Sequence, residues 1–255
     1  PENVSLCKAL LPHAQAALEN VPKEEDALEA WASLSFKMAW YVADTGDHNK
    51  AYKLILDSYD VRRLLWGADA PLTLDSLNSL ALVLNQLGRY EEAKEMHQRA
   101  LEAKERTLGA DSRDTLASMV NLASLYNDEC QWTDAEKLLV QALEISKTAL
   151  GPEHPLTLDT ITLLATTYRN QSRWTEAVKL ELQMLKARET QLGPRHPRTL
   201  ALKSNLAFTY QKQGRLDEAE ELQLQILETY EARPEAEVDM LAHKLHLAST
   251  YKAQG

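Results

Sequence analysis

The sequence predicts an all-α fold, a right-handed α-solenoid superhelix of tandem helix-turn-helix repeats. Three observations predict it. Gly67, Gly109, Gly151 and Gly193 each stand 42 residues after the one before and open similar phrases: GADAPLTL, GADSRDTL, GPEHPLTL and GPRHPRTL. Fixed-period self-similarity on this scale marks a repeat array. Within each period the apolar residues fall at helical spacing, in two runs parted by a short polar break. Small residues recur in columns at the same period, with only the step from Ala207 to Ala248 one residue shorter: Ala39, Ala81, Ala123, Ala165, Ala207 and Ala248, then Ala9, Ala51, Ala93, Ala135, Ala177 and Ala219. A hairpin with one apolar face cannot bury it alone, so it stacks on its neighbours.

Residues 151–192 show the unit most clearly. Leu158, Ile161, Leu164, Ala165 and Tyr168 place a first helix over Pro155–Gln171. His154-Pro155 marks its start, because the N–H that Pro lacks has no partner in a first helical turn. Gln171-Ser172-Arg173 is the break, and a second helix runs from Trp174 to about Leu192. Gly193 ends it, since Gly takes a left-handed conformation without a Cβ penalty. Bulky residues lie in register with the small columns: Tyr126, Tyr168 and Tyr210, then Tyr90, Trp132 and Trp174. Large facing small is what interdigitated packing needs.

The chain 1–255 reads as a single solenoid. Residues 1–24 are the second helix of a partial repeat, since Ala9 sits in the second-helix column. Residues 25–66 are a diverged repeat held in register by Ala39, Gly46 and Ala51. Full repeats follow at 67–108, 109–150, 151–192 and 193–233, the last turning at Ala232-Arg233-Pro234. Residues 234–255 are the first helix of a further partial repeat, with Gly255 matching Gly214. The expectation is one helix, five pairs and one helix.

Composition narrows the function. The chain has 255 residues, 44% hydrophobic and 26% charged, which is ordinary globular composition. Its net charge of −10 argues against a nucleic-acid binder, which needs a Lys/Arg-rich face. It gives no attraction to an anionic membrane, and no apolar run approaches a span. Cys7 and Cys130 are two isolated thiols, neither a disulfide framework nor a zinc site, which points to a reducing, cytoplasmic setting. The sequence starts in mid-pattern at Pro1, as a segment of a longer protein would.

The small columns resemble those of the tetratricopeptide repeat, met here by Ala81, Ala93 and Ala100 and by Ala123, Ala135 and Ala142. The usual period is 34 residues. The longer form resembles the kinesin light chain subfamily, through its G-x-x-H-P-x-T-L junction and NLAxxY first helix. The residues that carry this are Asn121-Leu122-Ala123 with Tyr126, Asn205-Leu206-Ala207 with Tyr210, and the two GPxHPxTL junctions. Repeats of this kind also form the C-terminal sensor arrays of NLR-like STAND ATPases with NB-ARC or NACHT cores. The opening SLCKALLPHAQAALE is similar to the start of such an array.

The resemblance implies a non-catalytic recognition module whose first helices line a concave groove for a protein or peptide. Carried across residue by residue, the groove positions include Asn78, Asn85, Asn121, Asn127, Arg169, Asn170, Asn205, Phe208, Gln211, Lys212 and His246. Asn offers both donor and acceptor to an extended peptide. Asn121 and Asn205 match the family's asparagine ladder; the third rung, Leu163 between them, departs from it. The plainer reading of these amides is a solvated surface. Asp44 and Asp128 in one half, with Arg169, Lys212, Lys252 and His246 in the other, would orient an acidic peptide; an ordinary mixed surface is the simpler account. Phe36, Trp40 and Phe208 are candidate anchors, with Trp40 expected in the core.

No catalytic, cofactor-binding or metal-ligating residue is predicted. His154 and His196 repeat at the junctions and suit helix-start hydrogen bonding. Cys130 stands where Gly88 and Gly214 stand, behind Asp128-Glu129, whose charge disfavours a thiolate. Acidic residues opening second helices, such as Glu91-Glu92 and Asp217-Glu218, suit the helix dipole. Phosphate-loop, dinucleotide and nucleophile-elbow motifs are missing. The alternatives are a kinesin light chain-type cargo adaptor, and a self-association or autoinhibitory module, with a homo-oligomer formed through uncapped ends.

Overall fold

The structure, a computed structural model, describes residues 11–231 and 237–254. Expectations for Cys7, Ala9, the turn at 232–234 and Gly255 lie outside the described residues. Among the described residues there are twelve helices and no strand. They are α1 (residues 11–18), α2 (Glu25–Asp44), α3 (His48–Trp66), α4 (Pro71–Gln86), α5 (Tyr90–Leu108) and α6 (Arg113–Asp128). Then follow α7 (Trp132–Ala149), α8 (Pro155–Asn170), α9 (Trp174–Leu192), α10 (Pro197–Lys212), α11 (Leu216–Glu231) and α12 (Glu237–Gln254). The fold is all-α, built of tandem helical hairpins as solenoids are.

The chain divides into two compact units, Pro1–Glu129 and Cys130–Gly255. The division falls at the turn inside the predicted 109–150 repeat. In the first unit α2 packs on α3, α3 on α4, α4 on α5 and α5 on α6, and α4 also touches α6. In the second, each helix from α7 to α12 packs on the next. Partners that are neighbours in sequence are the mark of a repeat array.

The alanine columns are where helices meet. Ala39, Ala81 and Ala123 have no exposed surface, nor do Ala51, Ala93, Ala135, Ala177 and Ala219, and Ala165 and Ala207 are buried. Ala248, in α12, is exposed. Around the small residues sit the large ones. Tyr59, Leu74, Leu77, Ala100 and Ala103, for example, form one buried cluster of α3, α4 and α5, with Leu56 and Met96 against it.

Two kinds of turn alternate. First helices end in a tight cap with a positive φ, at Gly46, Gly88, Cys130, Ser172 and Gly214. At Ser172 the Arg173 N–H donates to the Tyr168 carbonyl at 2.8 Å, and the Ser172 N–H to Arg169 at 2.9 Å. That is the Schellman pattern, which satisfies carbonyls a helix end would leave orphaned. Its register was visible at Cys130, but the left-handed Ser172, φ 60°, was not.

Second helices end differently from the expectation. Gly193 has φ 84° and ψ 160°, and Gly67 and Gly109 are similar. This is not the left-handed helical region but an extended conformation of opposite hand that only Gly occupies freely. It turns the chain into the next junction, where a threonine closes the loop. Thr115, Thr157 and Thr199 donate to the carbonyls of Gly109, Gly151 and Gly193, six residues back, at 2.8, 2.8 and 2.9 Å. All three threonines are fully buried. His154 and His196 act as expected, Nδ1 accepting the backbone N–H of Leu156 and Arg198, each at 3.2 Å.

Each acidic second-helix start has a partner beyond the dipole. Arg89, Arg173 and Arg215 stand just before α5, α9 and α11 and pair with Glu92, Glu176 and Glu218. Each guanidinium lies over a tyrosine ring: Arg89 over Tyr52 at 4.9 Å, Arg173 over Tyr168 at 4.4 Å, Arg215 over Tyr210 at 4.1 Å. A cation over a ring face is attracted by the ring quadrupole. The pairing also holds the Glu92, Glu176 and Glu218 carboxyls below their usual range.

Trp40 is not in the core. It is 45% exposed and meets Phe36 edge-on at 6.4 Å between centroids. Phe36 takes the inner place instead, with the buried Arg62 guanidinium 4.5 Å above its ring.

Candidate functional site

The amide positions of first helices fall into two groups, one in each unit. In the first unit, Asn78 Oδ1 faces Nδ1 of His97 at 2.9 Å. His97 is 1% exposed, and burial pushes its pKa down to about 4. Asn85 donates to Asp128 Oδ2 at 2.8 Å, tying α4 to α6. Asn121 and Asn127 are half-buried. Asp128 therefore has one oxygen engaged by an amide within its own unit.

In the second unit, Arg169 is held from below. Its Nη1 is 3.0 Å from Oε1 of Glu181 and its Nη2 is 3.0 Å from the Thr166 hydroxyl. Glu181 is 2% exposed. Burial raises its pKa and the Arg169 charge opposes that rise. Asn170 is exposed at the end of α8.

Three predicted residues come together one repeat further on. Asn205, Phe208 and Gln211 line one cavity of about 330 Å³ with Ser204, Gln223 and Ser249. Phe208 is 46% exposed, and Lys212 Nζ is 5.2 Å from its ring centroid. Gln211 Nε2 donates to Ser249 at 3.2 Å, and Gln223 Oε1 accepts from Thr250 at 2.8 Å. An aromatic wall with a few placed polar groups is how ligand sites are usually built. His246 falls in α12, but its side chain lies outside the described residues.

A tetratricopeptide repeat model matches residues 33–106, 75–128, 114–190 and 163–232. The chain belongs to the tetratricopeptide repeat family. Tetratricopeptide repeat proteins are in general non-catalytic scaffolds for protein–protein interaction, and no enzymatic family is indicated.

Solved tetratricopeptide structures agree. A Podosopora anserina protein of nearly identical TPR-like repeats, described as kinesin light chain-like, is 26% identical with a TM-score of 0.72. The match covers 84% of this chain and 100% of that one. A single-substitution form of it is 27% identical, with a TM-score of 0.69 over 80% of this chain and 94% of that one. BtubC (BKLC) from P. vanneervenii shares the fold at 19% identity and a TM-score of 0.75, over 88% of this chain and 91% of that one. No curated protein matches by sequence. No described helix of this tetratricopeptide protein is long and apolar enough to cross a membrane.

Sequence reasoning missed Gln223, because only first helices were searched for ligand contacts. A signal was present. The second-helix position at Ile55, His97, Leu139, Glu181 and Gln223, each 42 residues on, is apolar in two repeats and polar in three. All five side chains are buried. A buried register that alternates between apolar and polar residues singles out the polar ones as more than packing.

Proposed function

We propose that this tetratricopeptide chain is a recognition module that holds a peptide or partner surface on its first helices. In this reading it is the sensing and scaffold region of an NLR-like signalling ATPase and works in the cytoplasm. The observation that carries recognition is the cavity where Asn205, Phe208 and Gln211 converge. The resemblance of the opening and the 42-residue junctions to STAND sensor arrays supports the parent, and two isolated thiols support the compartment.

The test is selection of short random peptides on the immobilised chain. Clones should be enriched, and their peptides should bind an N205A/F208A variant about tenfold more weakly, a loss of about 1.4 kcal/mol. Failure to enrich any peptide, or equal binding by that variant, would defeat the reading. A second reading, a cargo adaptor, is favoured by the likeness to the Podosopora structures. The flanking reading frame separates the two: a nucleotide-binding core supports the sensor, a heptad coiled coil the adaptor.

A further inference from the structure

The cavity beside Phe208 lies at a register pair whose chemistry differs from that of the preceding repeat. Arg169 and Gln211 occupy the same first-helix position, 42 residues apart, and Glu181 and Gln223 the same second-helix position. In the earlier repeat the pair is an ion pair, Arg169 to Glu181 at 3.0 Å, with both side chains largely buried. In the later repeat two neutral amides stand there. Gln211 turns to Ser249 and Gln223 to Thr250, both on α12.

Those two bonds decide what the cavity offers. Gln211 uses Nε2 on Ser249, so its Oε1 remains as an acceptor. Gln223 uses Oε1 on Thr250, so its Nε2 remains as a donor, on a side chain only 3% exposed. Phe208 supplies an apolar wall. The acceptor left on Gln211 and the donor left on Gln223, in a lining that carries no charged side chain, match a carboxamide, whose oxygen accepts and whose NH₂ donates. A carboxylate has no proton for Gln211, and an aliphatic side chain leaves the buried Gln223 amide unpaired, which costs the full desolvation of that group.

We propose that this cavity is a specificity pocket for a Gln or Asn side chain of a bound peptide, read by Gln211 and Gln223. The inference rests on the proposed recognition function and names the side-chain class it selects. A site built to hydrogen-bond its ligand rejects an analogue lacking those groups more strongly than an apolar pocket can reject a methylene.

The experiment takes the peptides selected above and the whole chain. Q211R/Q223E installs the native ion pair of the preceding repeat and should close the pocket while keeping the helices, checked by circular dichroism and the melting curve. Selected peptides should share a Gln or Asn at one position. Changing it to Glu or Leu, or using Q211R/Q223E, should each weaken binding at least about tenfold. Enrichment of peptides with an acid or apolar residue at the fixed position, or undiminished binding by Q211R/Q223E, overturns the pocket but leaves recognition standing. Failure to enrich any peptide overturns both.

Discussion

The Thr157 hydroxyl donates to the Gly151 carbonyl at 2.8 Å, and both sit at the junction between one hairpin and the next. The bond explains a column that the sequence displays without a reason. Thr157→Val keeps the shape and removes the donor, leaving a carbonyl without its partner. Each such change, here or at Thr199, should cost about 1 kcal/mol in urea denaturation. An unchanged midpoint in both variants would show that the hydroxyl is not what closes the loop.

Gly151 has φ 96°, and a Cβ added there would meet nothing within 4 Å. Space is therefore no obstacle, and only backbone strain opposes a side chain. Gly151→Ala should lose about 1–3 kcal/mol. Ser172 poses the opposite case, a side chain held at φ 60°. Ser172→Gly should gain up to about 1 kcal/mol, because the left-handed penalty exceeds the entropy that Gly adds to the unfolded chain. Thermal melts of the two variants should move in opposite directions.

His97 predicts an acid sensitivity. Its pKa is about 4 in the folded chain, against an ordinary value of 6.5. Between these the unfolded chain binds the proton more strongly, so stability falls as pH drops from about 6.5 and levels off below about 4. The full effect is about 3 kcal/mol. His97→Gln should flatten this window in denaturation curves taken at several pH values, and an unaltered slope would exclude His97 as its source.

Arg169 holds a carboxyl that water barely reaches. Arg169→Met should destabilise by about 3–5 kcal/mol near neutral pH, the usual result of stranding one member of a buried pair. The loss should shrink on acidification. Glu181 already has a raised pKa, and the neutral acid is tolerated below the folded value, with stability lost as pH rises through it. Arg169→Met with Glu181→Met should recover most of the loss. A single variant that melts like the parent would mean the pair is not needed.

Most of the helix order was legible because each junction carries its own punctuation. Gly193, His196 and Pro197 together announce one helix end and the next helix start. What escaped notice depends on conformation or on a partner far along the chain. Ser172 escaped because Ser has no intrinsic liking for a positive φ; the cap is imposed by the hairpin around it. Trp40 reads as core if the preceding helix is expected to cover it, whereas it is 45% exposed and Phe36 takes the place beside Arg62. At the candidate site, Asn205, Phe208 and Gln211 were found from register, since repeats place equivalent residues alike. Gln223 was overlooked because its role depends on the absence of a charge pair, which shows only when two repeats are laid side by side.

Packing chiefly between sequence neighbours has a consequence for how the polypeptide is born. In the second unit each helix rests on the one made just before it. Its partners therefore lie within about one 42-residue block on either side, and even the Gln211–Ser249 bond spans only 38 residues. Short loops close at little entropic cost, so no hairpin must wait for a distant strand of the message. Duplication of one block in the gene would likewise deliver a hairpin complete with its seams, which makes length in such a chain an inexpensive variable for evolution.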